Sequence, residues 1–418
     1  MTLFSVAMRS VLSRRLTTSL TVLAIALSFA LVQVVDIVRS GARSSFTNTI
    51  SQTDLIVGAR TGNVQLLLYS VFHLGNAANN ISWQSYQALS EHDAVEWIVP
   101  LSLGDSHKQY RVIGTTDEFF SRYRFAQDSH LSFASGKSFE ELFDVVIGAD
   151  VAQTLNYEIG TSLVIAHGLE SFVAHDDLPF RVSGILQKTH TPVDRSVYVS
   201  LQALEAVHRD VSALRESLGD VVPAQHLFRK VDLTPKAITA ALVGVKDKIQ
   251  IFGLQRDINE YRPEPLTAII PGVTLSELWR VTGLAEQALR LVAWAVLLAA
   301  LLGMIATFVA GLTAREREFA ILRTIGAAPQ HVVILILVEV FFLVFIALIV
   351  SIILVGLILV GANPFLQDGF GVSLPPITGI SEQWRTLLFF VVVAPLAALV
   401  PAYEAYRKTI TSQLARKF

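Results

Sequence analysis

Residues 315–327 read REREFAILRTIGA, a charged segment that lies between two long apolar runs. A dense cluster of charges between membrane spans is too costly to place in hydrocarbon, so we expect the segment at a membrane surface. There it is accessible to another protein, and its pattern is compatible with a short helix. The segment is therefore predicted to be a docking element.

The composition indicates an integral membrane protein. The 418 residues are 52% hydrophobic and only 16% charged, and the apolar residues are concentrated in a few runs. A helix of about 20 residues, rising about 1.5 Å per residue, crosses about 30 Å of hydrocarbon. Four runs without an internal charge are long enough, namely 16–35, 291–314, 340–366 and 386–403.

These runs predict a helical membrane region of four transmembrane helices, with one large domain between the first and second spans. The predicted segments are a cytoplasmic N-terminal segment at 1–15, transmembrane helix 1 at 16–38, an external domain at 39–273, a stalk helix at 274–290, transmembrane helix 2 at 291–314, a cytoplasmic coupling helix at 315–330, transmembrane helix 3 at 331–361, an external loop at 362–384, transmembrane helix 4 at 385–404 and a cytoplasmic tail at 405–418.

Positive charges set the predicted orientation, because Lys-rich and Arg-rich ends are retained in the cytoplasm. The segments 1–15, 315–330 and 404–418 carry net charges of +3, +1 and +3. Since the whole chain carries −2, the remainder carries −9, and the large domain is predicted to be acidic and to face outward. Both termini are then cytoplasmic. The absence of cysteine suits an oxidising compartment outside.

The large domain is predicted to be α+β, because short β-rich runs alternate with helical stretches. The predicted strands are 96–101, 110–114, 144–148, 162–166, 180–186 and 196–199, and the predicted helices include 149–156 and 201–209.

A stalk is predicted where the large domain meets the second span. Residues 274–277 read TLSE, a capping box in which the Thr hydroxyl and the Glu carboxylate satisfy free amides at a helix start. Apolar residues then recur at helical spacing, so we expect one helix to run unbroken into the second span. The alternative is an amphipathic helix that only packs on its own domain. The predicted stalk positions are Leu275, Leu278, Val281 and Leu289.

Residues 54–76 are richer in glycine, charge and aromatic side chains than simple packing needs. One interpretation is that the glycines permit turns and the leucines at 66–68 pack in the core. The other is a contact with a substrate or a partner. The candidate contact residues are Asp54, Gly58, Arg60, Phe72 and His73.

Catalytic and metal chemistry find little support in the sequence. The triplet Gly136-Lys137-Ser138 lacks the upstream glycine of a phosphate loop, where Leu131 stands, so ATP binding is expected in a separate subunit. Nine of the ten histidines lie between the first two spans. They show no His-x-x-x-His spacing and have no Cys partner, so no metal ligands are assigned. The alternative to a metal site is that these histidines are solvated or hydrogen-bonded.

The segment 315–327 resembles the cytoplasmic coupling segment of the permease family that includes MacB, FtsX and LolC/LolE, the type VII ABC transporters. In that family an Arg-Glu pair precedes a short apolar helix that ends in Ile-Gly-Ala. The run 145–148, VVIG, followed by a helix and a later strand, resembles the MacB-like periplasmic core domain. The resemblance assigns contact with the ATPase to Arg315, Glu316, Arg317, Glu318, Phe319, Ile321, Leu322, Arg323 and Gly326.

The resemblance implies a multi-pass protein of the bacterial inner membrane that is not itself an enzyme. It implies two copies of this permease bound to two copies of a cytoplasmic ABC ATP-binding subunit, which holds ATP and Mg, and no cofactor bound by this chain. Membrane lipid is an expected partner, and a periplasmic adaptor or binding protein is a further candidate. Nucleic acid is not expected.

The implied function is mechanotransmission, in which ATP hydrolysis drives movement of the periplasmic domain. Such a permease exports or extracts a peptide, a lipoprotein, a lipid or a small toxic compound. An FtsX-like transmembrane signalling scaffold that activates a periplasmic partner is the alternative. A permease for zinc uptake, working with a periplasmic binding protein, is a weaker alternative that rests only on the histidine distribution.

Overall fold

In the computed structural model of the protein, the described residues are 15–126, 128–167, 178–209, 228, 231–314, 321, 324, 326–370, 388, 391–393 and 395–407. They divide into two compact units. The helical unit contains the described residues of 1–41, 283–368 and 374–418. The sheet domain contains those of 42–282, together with 369 and 370.

The helices of the described part of the chain include three long ones. The helices are α1 (Arg15–Thr49), α2 (Asn63–Val71), α3 (Trp83–Ser90), α4 (Glu118–Arg122), α5 (Ala149–Leu155), α6 (Leu201–Val207), α7 (Ile251–Asn259), α8 (Pro271–Ala314) and α9 (Pro329–Phe370), with 3-10 turns at Pro192–Arg195 and Lys248–Gln250.

The strands all belong to the sheet domain. They are β1 (Leu55–Ala59), β2 (Ile81–Ser82), β3 (Val95–His107), β4 (Tyr110–Thr115), β5 (Arg124–Phe125), β6 (Ser129–His130), β7 (Phe133–Gly136), β8 (Asp144–Ile147), β9 (Ser162–Leu163), β10 (Ala166–His167), β11 (Phe180–Leu186), β12 (Ser196–Ser200), β13 (Ala237–Ile238), β14 (Ala240–Val245) and β15 (Leu266–Ile269).

One mixed sheet forms the centre of this domain, with the strand order β15-β1-β14-β3-β4-β12-β8-β11-β7. β10 pairs with β3, and β9 pairs with β11. The pairs β12 with β4 and β11 with β8 are parallel, whereas the other pairs are antiparallel. The first half of β3 pairs with β14 and its second half with β4, so this one strand joins the two halves of the sheet.

The central strands of the sheet are buried on both faces, because their apolar side chains point alternately to the two faces. On β1, Ile56 belongs to one core cluster, whereas Leu55 and Val57 belong to another. On β8, Val146 joins the cluster of Ile56, whereas Val145 joins a third. One cluster therefore covers one face across both halves, and two separate clusters cover the opposite face.

The helical unit is held together by apolar packing between its long helices. Phe29 of α1, Leu297 of α8 and Val340 of α9 belong to one buried cluster. A polar pair lies within this bundle, where Gln33 Nε2 donates to Ser351 Oγ at 3.0 Å. Because both side chains are buried, this bond satisfies groups that apolar surroundings would otherwise leave unpaired.

Three helices in the described part of the chain are long and apolar enough to cross a membrane, namely Arg15–Thr49, Pro271–Leu312 and Pro329–Asn363. The fourth predicted span, 385–404, lies partly outside the described residues. Its described members at 388, 391–393 and 395–404 are helical. A fourth crossing therefore stays a prediction.

The predicted strands and helices of the large domain are confirmed, with shifted ends. β3 continues well past the predicted 96–101, to His107, and the predicted strand 162–166 forms two short pieces, β9 and β10. The predicted helices 149–156 and 201–209 correspond to α5 and α6. The extension of β3 arises because the strand changes partner from β14 to β4, which a local pattern does not show.

The capping-box start of the stalk helix is wrong. α8 begins at Pro271, and Thr274 N already donates to the carbonyl oxygen of Ile270 at 3.0 Å, as inside a helix. Proline suits a first helical position, because the N–H that it lacks has no helical partner there. The two other long helices also pass their predicted ends, since α1 continues from 38 to Thr49 and α9 from 361 to Phe370.

We expect Gly148→Ala to destabilise the sheet domain, because an added Cβ would lie 2.3 Å from the backbone oxygen of Asp194. Backbone cannot move aside as a side-chain tip can, so the free energy of unfolding should decrease by about 1–3 kcal/mol. The thermal unfolding midpoint of the purified chain should fall by roughly 2–12 °C. Gly253→Ala is the matched control, because nothing lies near its added Cβ and α7 gains a better helix former. Equal midpoints for the two variants would contradict this packing.

Candidate functional site

α1 and α8 join the sheet domain at the same end of the sheet. α1 ends at Thr49, shortly before β1, and α8 begins at Pro271, directly after β15. β1 and β15 are antiparallel neighbours, with Ile56 opposite Ile269 and Ala59 opposite Leu266. The start of β1 therefore lies beside the end of β15, and the residues that lead to the two helices leave the sheet together.

An aromatic cluster holds these junctions within the sheet domain. The ring centroids of Phe46 and Phe72 lie 4.4 Å apart, and those of Phe46 and Trp279 lie 5.6 Å apart in an edge-on arrangement. Tyr123 also donates its hydroxyl to the carbonyl oxygen of Thr49, the last residue of α1. Such contacts give residues 46–49 and Trp279 a fixed place against the body of the domain.

Two salt bridges connect α1 and α8 inside the helical unit. Arg39 Nε lies 2.6 Å from Glu286 Oε2, and Arg290 Nη2 lies 3.1 Å from Asp36 Oδ1. Because these side chains are partly exposed, each pair contributes at most about 1 kcal/mol, and their effect is mainly on register. Sequence reasoning missed these pairs, although opposite charges flanking the apolar runs 16–35 and 291–314 were a usable signal.

The predicted stalk positions divide into buried and exposed ones. Leu275 packs into the core of the sheet domain, and Leu278 is half-buried. In contrast, Val281 is 69% exposed and Leu289 is 58% exposed. α8 therefore leaves apolar surface uncovered in a single copy of the chain.

Asp54 and Gly58 have structural partners inside the sheet domain. Asp54 Oδ2 accepts the N–H of Val245 at 2.9 Å, and the Asp54 carboxylate pairs with Lys248. A Cβ added at Gly58 would lie 2.5 Å from Leu66 Cδ1, so the missing side chain lets α2 pack closely on β1. These contacts explain both residues by packing, and their predicted role in contacting a partner stays a prediction.

Phe72 and Arg60 differ in exposure. Phe72 is 7% exposed and belongs to the main core cluster. The Arg60 side chain is exposed, while its backbone N–H donates to the Pro265 carbonyl oxygen at 3.0 Å. Of the candidate contact residues, Arg60 is thus the exposed one, while His73 is partly exposed and the other three are buried.

His73 is held as a neutral imidazole. Its Nδ1 lies 3.0 Å from Ser196 Oγ, and that hydroxyl donates to the Pro192 carbonyl oxygen at 3.0 Å. Nδ1 therefore carries the hydrogen and donates to Ser196. Burial, together with the nearby Arg111 guanidinium, lowers the pKa of His73 to about 3. Its backbone is left-handed, with φ +56°.

Most of the predicted coupling segment lies outside the described residues. Ile321 is helical and 60% exposed. Gly326 has φ +101°, a conformation that glycine adopts without steric cost, and α9 begins shortly afterwards at Pro329. The predicted residues outside the described part are Arg315, Glu316, Arg317, Glu318, Phe319, Leu322 and Arg323.

Two further histidines of the described part have hydrogen-bond or ion-pair partners. His107 places Nδ1 2.6 Å from the Val164 carbonyl oxygen and Nε2 2.9 Å from the Tyr157 hydroxyl. His208 Nε2 lies 3.6 Å from Asp105 Oδ2. Among the described residues, no three His, Asp or Glu side chains come together as a metal site would require.

Two family models match the chain. The MacB-like periplasmic core domain matches residues 18–260, which is more than half of the chain, and the FtsX-like permease C-terminal region matches residues 290–410. No curated protein has a sequence that matches the chain.

Two solved structures match about half of the chain. The periplasmic region of MacB from Actinobacillus actinomycetemcomitans is 11% identical, with a TM-score of 0.33, and the match covers 55% of this chain and 94% of that one. The extracellular domain of the noncanonic ABC-type transporter YknZ from Gram-positive bacteria is 12% identical, with a TM-score of 0.30, and the match covers 52% and 99%.

We expect His73 to make stability depend on pH. The folded-state pKa of about 3 lies below the ordinary 6.5, so protons bind preferentially to the unfolded state, and stability is lost as the pH falls from 6.5 towards 3. Between pH 6.5 and 5 the free energy of unfolding decreases by about 2 kcal/mol. His73→Asn tolerates the left-handed backbone and removes the titration, so its thermal unfolding midpoint should fall less than that of the unmodified chain.

His130→Asn is the control for this measurement, because His130 is exposed. Its midpoint should follow the unmodified chain across the same pH range. If the curve for His73→Asn also runs parallel to that of the unmodified chain, His73 is not held neutral in the fold.

Proposed function

The chain belongs to the family of ABC transporter permeases that combine a MacB-like periplasmic core domain with an FtsX-like permease region, and on this premise we propose that it acts by mechanotransmission. In this family the ATPase is a separate subunit. We propose that two copies of the chain bind two ATP-binding subunits through residues 315–327. ATP binding and hydrolysis then move the sheet domains.

The observation that carries the proposal is the continuity of α8. This helix runs without a break from Pro271, directly after β15, to Ala314, directly before the predicted coupling segment. A helix transmits displacement along its axis, because each turn is hydrogen-bonded to the next. A flexible connection in the same place would absorb it. Force applied at residues 315–327 therefore has a stiff path towards the last strand of the sheet domain.

The pairing of β1 with the edge strand β15 supports the same mechanism. Because β1 and β15 are adjacent, movement of α8 reaches the strand that follows α1 as well. The two salt bridges between α1 and α8 oppose sliding of one helix along the other. We propose that the two helices move as a pair.

A second copy would explain the apolar surface of α8. Val281, Leu284 and Leu289 are each more than half exposed although they precede the apolar run 291–314. Outside hydrocarbon, such residues are usually covered by another protein surface. We propose that the same region of a second permease covers them, with the two sheet domains brought together.

The cargo is proposed to be a peptide, a lipoprotein, a lipid or a small toxic compound that is exported across or extracted from the outer face of the inner membrane. Stimulation of ATP hydrolysis by such a compound supports transport. Stimulation only by a periplasmic protein supports the FtsX-like scaffold instead. Both tests use the permease with its ATP-binding subunit.

We expect the double variant Arg317→Ala with Glu318→Ala to lose the ATP-binding subunit. Those side chains supply paired charges to the proposed docking surface, so recovery of the subunit with the tagged chain from native membranes should fall about tenfold or more. Mass spectrometry of the material retained in mild detergent measures this recovery. The matched control is Glu277→Ala with Arg280→Ala, which removes the same charges near the other end of α8. Normal recovery and normal ATPase activity in the first variant would contradict docking at residues 315–327.

We expect a flexible insertion after Arg290 to uncouple the sheet domain. Seven residues of Gly and Ser should leave recovery of the ATP-binding subunit unchanged but abolish the response of the sheet domain to ATP, because the stiff path is broken. Seven alanines form the matched control, since they add about two helical turns and keep the helix continuous.

The response can be read from a spin label at Gln153→Cys, an exposed position in a chain without natural cysteine. In a pair of permeases, ATP should change the distance between the two labels in the unmodified chain and in the alanine insertion. An equal change in the Gly-Ser insertion would show that α8 does not transmit the movement.

A further inference from the structure

A polar cleft of about 290 Å³ opens at the end of the sheet where β1 and β3 begin and β14 ends. All of its lining residues belong to the sheet domain. Four cationic side chains and two carboxylates give the cleft a formal charge of +2, in a chain whose net charge is −2. The charged lining residues are Arg122, Arg124, Lys246, Lys248, Asp54 and Glu96.

Two of the four cations already have partners in the fold. Lys248 pairs with the buried carboxylate of Asp54. Arg124 donates from Nη1 to the carbonyl oxygens of Ser121 and Tyr123, and its Nε lies 3.5 Å from Asp128 Oδ1, which is not a lining residue. Because the Arg124 side chain is only 18% exposed, its guanidinium is held in place before any ligand arrives.

The other two cations are available to an anion. Arg122 reaches Glu96 only at 3.8 Å, and both side chains are about half exposed, so this pair is weak. Lys246 is exposed and has no ion-pair partner among the residues that the structure describes. An incoming anion can therefore recruit Arg122 and Lys246 without breaking a buried ion pair.

The connection from α1 to β1 carries unsatisfied polar groups on the residues before and after a residue that lines the cleft. Gln52, which lines the cleft, has a left-handed backbone with φ +57°. On either side of it, Ser51 Oγ and Thr53 Oγ1 are buried without a hydrogen-bond partner among the described residues. Buried hydroxyls are normally paired, so this segment has hydrogen-bonding capacity that the described residues do not use, although neither hydroxyl lines the cleft itself.

We propose that this cleft binds the phosphate group of an anionic ligand. A phosphate offers several acceptor oxygens and a charge of −1 to −2, which suits two guanidinium groups, a free ammonium group and a local excess of +2. Lys248 and Asp54 stay paired with each other, while Arg122 and Lys246 contact the anion. The cleft is large enough for a phosphate with a small polar substituent.

The phosphate can come from a phospholipid headgroup or from free phosphate. Apolar surface lies next in the chain, because Ile249 and Phe252 follow Lys248 and are 84% and 70% exposed. An amphipathic ligand would use both the cationic cleft and this apolar surface, whereas free phosphate would use only the cleft. The proposal does not depend on docking of the ATP-binding subunit, so failure of either proposal leaves the other standing.

The test compares the unmodified full-length chain with Arg122→Gln plus Lys246→Gln, in a neutral detergent. Isothermal titration calorimetry measures binding of inorganic phosphate and, separately, of dihexanoyl phosphatidylglycerol below its micelle concentration. We expect saturable binding of at least one probe, weakened about tenfold or more in the double variant. The matched control is Lys236→Gln plus Arg262→Gln, which removes the same two charges from exposed positions outside the cleft.

The arms of the experiment separate the two sources. Binding of phosphatidylglycerol that inorganic phosphate does not displace assigns the cleft to a lipid headgroup, and binding of inorganic phosphate alone assigns it to free phosphate. Binding of both with mutual displacement assigns it to the phosphate group as such. The proposal is overturned if neither probe binds, if the cleft variant binds as the unmodified chain does, or if the control loses as much affinity as the cleft variant.

Discussion

β1 and β15 lie side by side, and this pairing decides where both long helices meet the sheet domain. The register of Ile56 opposite Ile269 places the start of one strand beside the end of the other. When two antiparallel strands are adjacent in a sheet, the start of one lies beside the end of the other. As a result, the end of α1 and the start of α8 emerge together, although more than 200 residues separate them in the sequence.

Burial makes this junction stable. The central strands carry apolar side chains on both faces, so a shift in register by one residue would exchange the two sets of core contacts. Phe46 and Trp279 add aromatic contacts from the two helices, and Tyr123 satisfies a carbonyl oxygen at the end of α1. Burial of apolar side chains and satisfaction of the Thr49 carbonyl oxygen therefore both stabilise this register and this position of the two helix ends. The cleft at this end of the sheet is formed by the same strand ends and the loops that leave them.

The contacts made by the two long helices differ in how strongly they resist deformation. Within the sheet domain the junction is buried and apolar, which opposes gradual deformation. Inside the helical unit, the pairs Arg39 with Glu286 and Asp36 with Arg290 are partly exposed and can exchange with water at small cost. The two ion pairs therefore contribute less to the free energy of unfolding than the buried contacts of the junction do.

The sequence by itself determined the membrane class, the α+β character of the large domain and the family, because apolar run length, strand alternation and the segment 315–327 are local signals. It also predicted a continuous stalk, but it misplaced the start at Thr274, since a capping box is only a short-range pattern and Pro271 was an equally good first residue. Only the tertiary structure decided that β3 joins the two halves of the sheet, that Asp54 pairs with Lys248, and that Gly58 and Phe72 pack internally. Those outcomes depend on strand order, which brings distant residues together by hydrogen bonding and burial that no local pattern encodes.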